Sequence, residues 1–132
     1  MHILSRRFVA QYALIVLIYF CGDCLWIYFV ARDMYQSHVS SILALHPAWS
    51  PALGFYLVYG FGLWFLAIKP SAKPRNAAVR GAVVGLTAYG TYALTGQALF
   101  VGWSWDLTLA DSAWGMFLSA VVAFLTVKLL PE

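Results

Sequence analysis

From Phe8 to Ala31 the chain runs for 24 residues with one charged side chain, Asp23. A bilayer's hydrocarbon core is about 30 Å thick and is crossed by ~20 apolar residues in a helix, which satisfies its own backbone polar groups where no water is present. At ~1.5 Å per residue this stretch makes about 36 Å, enough to cross with some tilt. It follows Arg6 and Arg7 as the apolar region of a signal peptide would. However, it exceeds the roughly 7–15 residues of such a region and has no small-x-small cleavage pattern before Arg32. It is therefore read as an uncleaved first span, closed by Arg32 and Asp33. Three more apolar stretches, 51–68, 77–101 and 107–130, predict an all-α membrane protein, a four-helix transmembrane bundle in one integral domain covering 1–132.

Charge supports that class. Only 10% of residues are charged, against about a quarter in soluble domains. The formal charge of +3 does not indicate nucleic-acid binding, because there is no soluble basic domain to carry it. The basic residues instead read as topology signals. Arg6, Arg7, Lys69, Lys73, Arg75, Arg80 and Lys128 fall at one end of the spans and Arg32 at the other. The positive-inside rule then predicts both termini in the cytoplasm of a bacterial inner-membrane, multi-pass protein, with Trp49, Trp103 and Trp105 forming an aromatic belt at the outer interface. Between spans one and two, "MYQSHVSSILALHPAW" is too polar to cross. Val39, Ile42, Leu43 and Leu45 predict a short interfacial segment there. Ser50, Asn76 and Asp106 are the expected N-caps of spans two, three and four, with Pro51 at the first helical position of span two.

Asp23 falls deep in span one, and Asp111 enters the same outer half from span four. "DCLW" at Asp23 to Trp26 is echoed by "DSAW" at Asp111 to Trp114. A charged aspartate at mid-span costs ~2.5–3.5 kcal/mol on insertion scales, so such residues face the bundle interior or a wet cavity and have partners. Depth counting puts Tyr59 and Tyr92 near the level of Asp23, and Tyr56 near that of Asp111. Tyr12, Tyr19, Asp23 and Trp26 share one helix face. The expected site is thus an outward-facing, acidic and aromatic cluster of Asp23, Trp26, Tyr56, Tyr59, Tyr92, Asp111 and Trp114. It either binds a ligand or pins helices, since Asp to Tyr hydrogen bonds tie bundles together at ~0.6 kcal/mol each.

Other features carry less. Cys21 and Cys24 spell C-x-x-C, but in mid-helix they lack the helix N-terminus that activates such thiols, and they read as small apolar residues. His38, His46, Asp33, Asp106 and Asp111 lack the spacing of a metal site, so no metal or cofactor is expected. Gly81 and Gly85 form a small-xxx-small pair suited to close helix packing inside the bundle. Thr87, Thr91 and Thr95 can bond their own i−4 carbonyls.

Asp23-x-x-Trp26, the following "DMY", "FYLVYGFGLWFLAIKP", "YGTYALTG" and "DSAWG" together resemble a family of small bacterial inner-membrane proteins, domain-of-unknown-function family twenty-one seventy-seven. The resemblance covers almost the whole chain and implies four spans in a bacterial inner membrane, with no activity attached. The family's third span usually has an acidic residue and an asparagine where this chain has Ala93 and Gly96. That difference argues against any mechanism needing three carboxylates. The cysteines stand outside the pattern.

No nucleophile-base pair or phosphate loop appears, so the sequence favours a non-catalytic subunit or scaffold that packs against membrane lipids, other membrane subunits or copies of itself. The alternative is a small transporter or lipid- or ligand-binding protein using the acidic pocket. A lipid-modifying enzyme comes third, because it needs a second catalytic group that the sequence does not supply.

Overall fold

A computed structural model describes residues 5–44, 46 and 48–131. Among these the chain is helical with no strand. Helix α1, Arg6–Trp26, starts where the Ser5 hydroxyl accepts a hydrogen bond from Phe8 N at 3.1 Å. It passes without a break through a π-helical turn, Ile27–Ala31, into α2, Arg32–Val39, and a 3-10 turn, Ser40–Ile42. Helix α3, Trp49–Leu63, likewise ends in a π turn, Trp64–Ile68. Helices α4, Pro74–Leu99, and α5, Trp105–Leu129, complete the chain.

Among the described residues three segments are long and apolar enough to cross a membrane: Arg6–Ile42, Trp49–Ile68 and Trp105–Leu129. At 26 residues α4 has the length, but Arg75, Arg80 and its glycines, threonines and tyrosines dilute its apolarity.

The structure corrects several boundaries. Arg32 and Asp33 do not close the first helix. The 37 residues of Arg6–Ile42 amount to about 55 Å, well beyond a ~30 Å core. The expected interfacial segment is therefore the upper end of this same helix. It docks on the bundle, with Val39 buried against Trp103 and Leu107 and with Met34 and Tyr35 packed alongside. Ile42 and Leu43 are exposed, and Leu45 lies outside the described residues. Trp103 is correspondingly buried, its indole donating to Thr108 Oγ1 at 3.2 Å, whereas Trp49 and Trp105 are exposed.

The caps also differ, because each helix begins upstream of the expected position. Ala48 precedes α3, so Ser50 lies inside its first turn. Lys73 is extended and Pro74 opens α4 with its preset φ, which leaves Asn76 helical. Ser104 Oγ accepts from Leu107 N at 3.3 Å and caps α5, so Asp106 falls in the first turn, where the helix dipole favours an acid.

Within a bilayer, apolar surface gives no drive for helices to associate, so close packing and hydrogen bonds must hold them. The tightest contact is α4 on α5. A Cβ on Gly81 would lie 2.6 Å from the Ser119 carbonyl oxygen and 2.9 Å from Ala123 Cβ. One on Gly85 would collide with the Gly115 carbonyl. This is the close approach expected of the glycine pair, and it lies inside the protein. Thr87, Thr91 and Thr95 face outward. The core where the helices meet is built from Ile15, Leu63, Ile68, Leu118 and Val122, among others. Gln11 links the far ends of the chain: its Nε2 donates to Leu130 O at 2.8 Å and its Oε1 accepts from Trp64 Nε1 at 3.0 Å.

Candidate functional site

Buried positions on α1 recur every four residues at Gln11, Ile15, Tyr19 and Asp23, one stripe along the helix. The π turn carries that stripe onward. In an unbroken α-helix Tyr35 would stand ~120° around the axis from Asp23. The π turn, marked by the Arg32 N–H bonding to Ile27 O, absorbs one extra residue and brings the separation to ~20°. Asp23 and Tyr35 therefore look the same way from one long helix.

Asp23 is 8% exposed. Its Oδ2 accepts from Tyr56 Oη of α3 at 2.9 Å and its Oδ1 from Trp114 Nε1 of α5 at 3.0 Å. Asp111 of α5 is 6% exposed. Its Oδ2 accepts from the Tyr35 hydroxyl, which also lies 3.2 Å from the Tyr92 hydroxyl of α4. The two D-x-x-W echoes meet: Trp114 donates to Asp23, while Trp26 lies with Asp111 on the wall of one cleft. The two indoles stack with ring centres 4.8 Å apart and planes 6° from parallel. The repeat thus joins the first and last helices through one hydrogen bond and a stacked indole pair.

Both carboxylates line one cleft of about 620 Å³. Trp26, Ile27, Ala31, Arg32, Tyr35 and Gln36 supply the side made by the first helix, Leu43 and Ala44 a rim, and Tyr89 and Tyr92 the α4 side. This volume lies within the ~300–1,000 Å³ usual for small-molecule sites. Deeper in, Ser119 Oγ lies 2.7 Å from Tyr59 Oη and 3.2 Å from Tyr19 Oη. The Tyr89 hydroxyl is buried beside this cluster and makes no hydrogen bond of ordinary geometry among the described residues.

Of the seven residues singled out from sequence, Asp23, Trp26, Tyr92 and Asp111 line the cleft, and Tyr56 and Trp114 bond Asp23 from behind it. Tyr59 bonds Ser119 instead. The tyrosine levels are shifted from those expected: Tyr56, not Tyr59, reaches Asp23, and Tyr92 joins the Asp111 group. The depths differ because the first helix does not end at Arg32 but continues through it into α2.

Sequence reasoning missed Tyr35, Tyr89 and Ser119. The four-residue spacing Asp111, Gly115, Ser119 was a legible signal for the last, whereas Tyr35, twelve residues from Asp23, shares its face only because of the π turn. Cys21 and Cys24 are free, with Cys21 facing outward. His38 bonds its own helix through Met34 O at 2.8 Å. Among the described residues no three His, Cys, Asp or Glu side chains converge as a metal site would require.

The arrangement can accept hydrogen bonds and hold charge. Comparison with curated proteins and with solved structures finds no match. Residues 8–128 match the family described as "Predicted membrane protein (DUF2177)", and the chain belongs to that family.

Proposed function

We propose that the protein is a small ligand-binding protein of the bacterial inner membrane, with four spans and both termini in the cytoplasm. The observation that carries the binding reading is the cleft of about 620 Å³ with Asp23 and Asp111 both on its wall. Carboxylates needed only to pin helices would be enclosed by their partners, with no cavity of ligand size beside them. Helix α4 lies packed along α5 through Gly81 and Gly85, so a membrane crossed by α5 takes α4 with it. The distribution of basic residues supports the cytoplasmic placement of both termini.

Native mass spectrometry of the protein extracted from its membrane tests the reading. A co-purifying small molecule should be present and should be lost in Ala44→Trp, which fills the rim. Masses limited to bare chain and to phospholipid adducts that Ala44→Trp leaves unchanged would count against it. Fusions of a cytoplasm-dependent fluorescent reporter to each terminus should both be bright.

One observation favours a second reading, the non-catalytic subunit. Phe29 and Tyr28 on the first helix, and Val58 and Leu53 on the second span, present large apolar side chains outward, a surface that neighbouring membrane subunits can cover as well as lipid.

A further inference from the structure

We infer that the ligand of this cleft is a small organic cation of the ammonium type, an inference that rests on the cleft being a binding site. Asp23 and Asp111 reach the wall from opposite helices, and the groups that bond them, Tyr56, Trp114 and Tyr35, are neutral donors. Neutral donors orient a carboxylate without cancelling its charge. Arg32 is the basic side chain on the wall, so two carboxylates face one guanidinium. Charge held away from bulk water is stable when paired, and an entering cation completes the pairing.

The rest of the lining selects the kind of cation. A divalent metal needs six or more oxygen ligands at ~2.0–2.6 Å, or a few nitrogen and sulfur ligands. The described residues gather no such set. The cleft is also far larger than an ion and is walled by Trp26, Tyr35, Tyr89 and Tyr92. Aromatic rings attract positive charge through their quadrupole while accepting apolar bulk. An ammonium head with an apolar body satisfies carboxylates, phenol oxygens and rings together. An anion would meet two like charges, and a neutral acyl chain would leave both carboxylates unused.

The test compares two probes on purified protein in detergent micelles by titration calorimetry at neutral pH. Phenethylamine carries a protonated head, and 2-phenylethanol has the same skeleton with a neutral one. The amine should bind at least tenfold tighter. Asp111→Asn keeps an oxygen for Tyr35 and should weaken the amine about tenfold, the equivalent of one modest charge pair, with the alcohol unchanged. Arg32→Gln, at an exposed position, should tighten the amine severalfold, and it keeps the test readable if Asp111→Asn does not fold. Equal affinity for the two probes, with Asp111→Asn and Arg32→Gln moving neither, overturns the cation assignment and leaves the cleft reading standing. Amine binding that survives Ala44→Trp places the site elsewhere and overturns both. No binding of either probe overturns the cation assignment for molecules of this size.

Discussion

Gly85→Ala tests the contact on which the cleft's α4 and α5 walls depend. The added methyl would collide with the carbonyl oxygen of Gly115 and lie 2.7 Å from Ser119 Oγ, where ordinary contact begins near 3.4 Å. The serine could rotate, at the loss of its bonds to Tyr19 and Tyr59. The carbonyl belongs to the backbone of α5 and cannot, so the helices must part by about 1 Å. Overpacking of this kind costs ~1–3 kcal/mol, and an immovable neighbour puts the cost at the upper end. Replacing glycine by alanine in a helix returns about 1 kcal/mol. The expected net loss is ~2 kcal/mol, roughly a thirtyfold shift toward the unfolded form. Circular dichroism melts in detergent, calibrated by denaturant titration, provide the measurement. Gly54→Ala and Gly62→Ala are the controls, because a Cβ at either meets nothing within 4 Å. Both should melt as wild type or slightly higher. A Gly85→Ala protein as stable as these controls would refute the account of α4 on α5.

Ser119→Ala removes the shared partner of the Tyr19 and Tyr59 hydroxyls in a fully buried position. At ~0.6 kcal/mol per membrane hydrogen bond it should cost about 1 kcal/mol in the same melts, and no loss at all would mean that the two tyrosines find other partners. Deleting Phe29, an outward-facing residue of the π turn, should be tolerated, because it removes the one extra residue and leaves Tyr35 ~20° from Asp23 on a plain α-helix. Inserting an alanine after Phe29 should lower the melting temperature by several degrees. If deletion harms as much as insertion does, the π turn has another role.

The apolar runs determined the helical class, and this is physical necessity: a chain with so few charges can satisfy its backbone in lipid only by internal hydrogen bonds. The sequence also placed Asp23 and Asp111 in the same half of the bundle, since a buried carboxylate and a count of residues from each loop suffice for that. Where the first helix ends was not legible. Arg32 and Asp33 look like a terminus, yet α2 continues because Val39, Met34 and Tyr35 find a partner surface in Trp103 and Leu107, a contact made by residues some seventy positions away. Helix starts differ for the same kind of reason: Ser104 caps α5 through Leu107 N, while α3 and α4 begin after Ala48 and Lys73 with no side-chain cap.

The pairing of side chains was decided by tertiary structure alone. Tyr56 rather than Tyr59 meets Asp23, and Tyr35 meets Asp111, because the π turn rotates one helix face and the glycine contact sets how α4 and α5 lie together. In "CGDCLW", the sequence made the aspartate conspicuous. Only the fold showed that Trp114 holds it from the last helix, and that Asp23 and Asp111 share a cleft of molecular size. A helix's own periodicity says which residues share a face, but the distance between faces of different helices depends on packing that no single segment encodes.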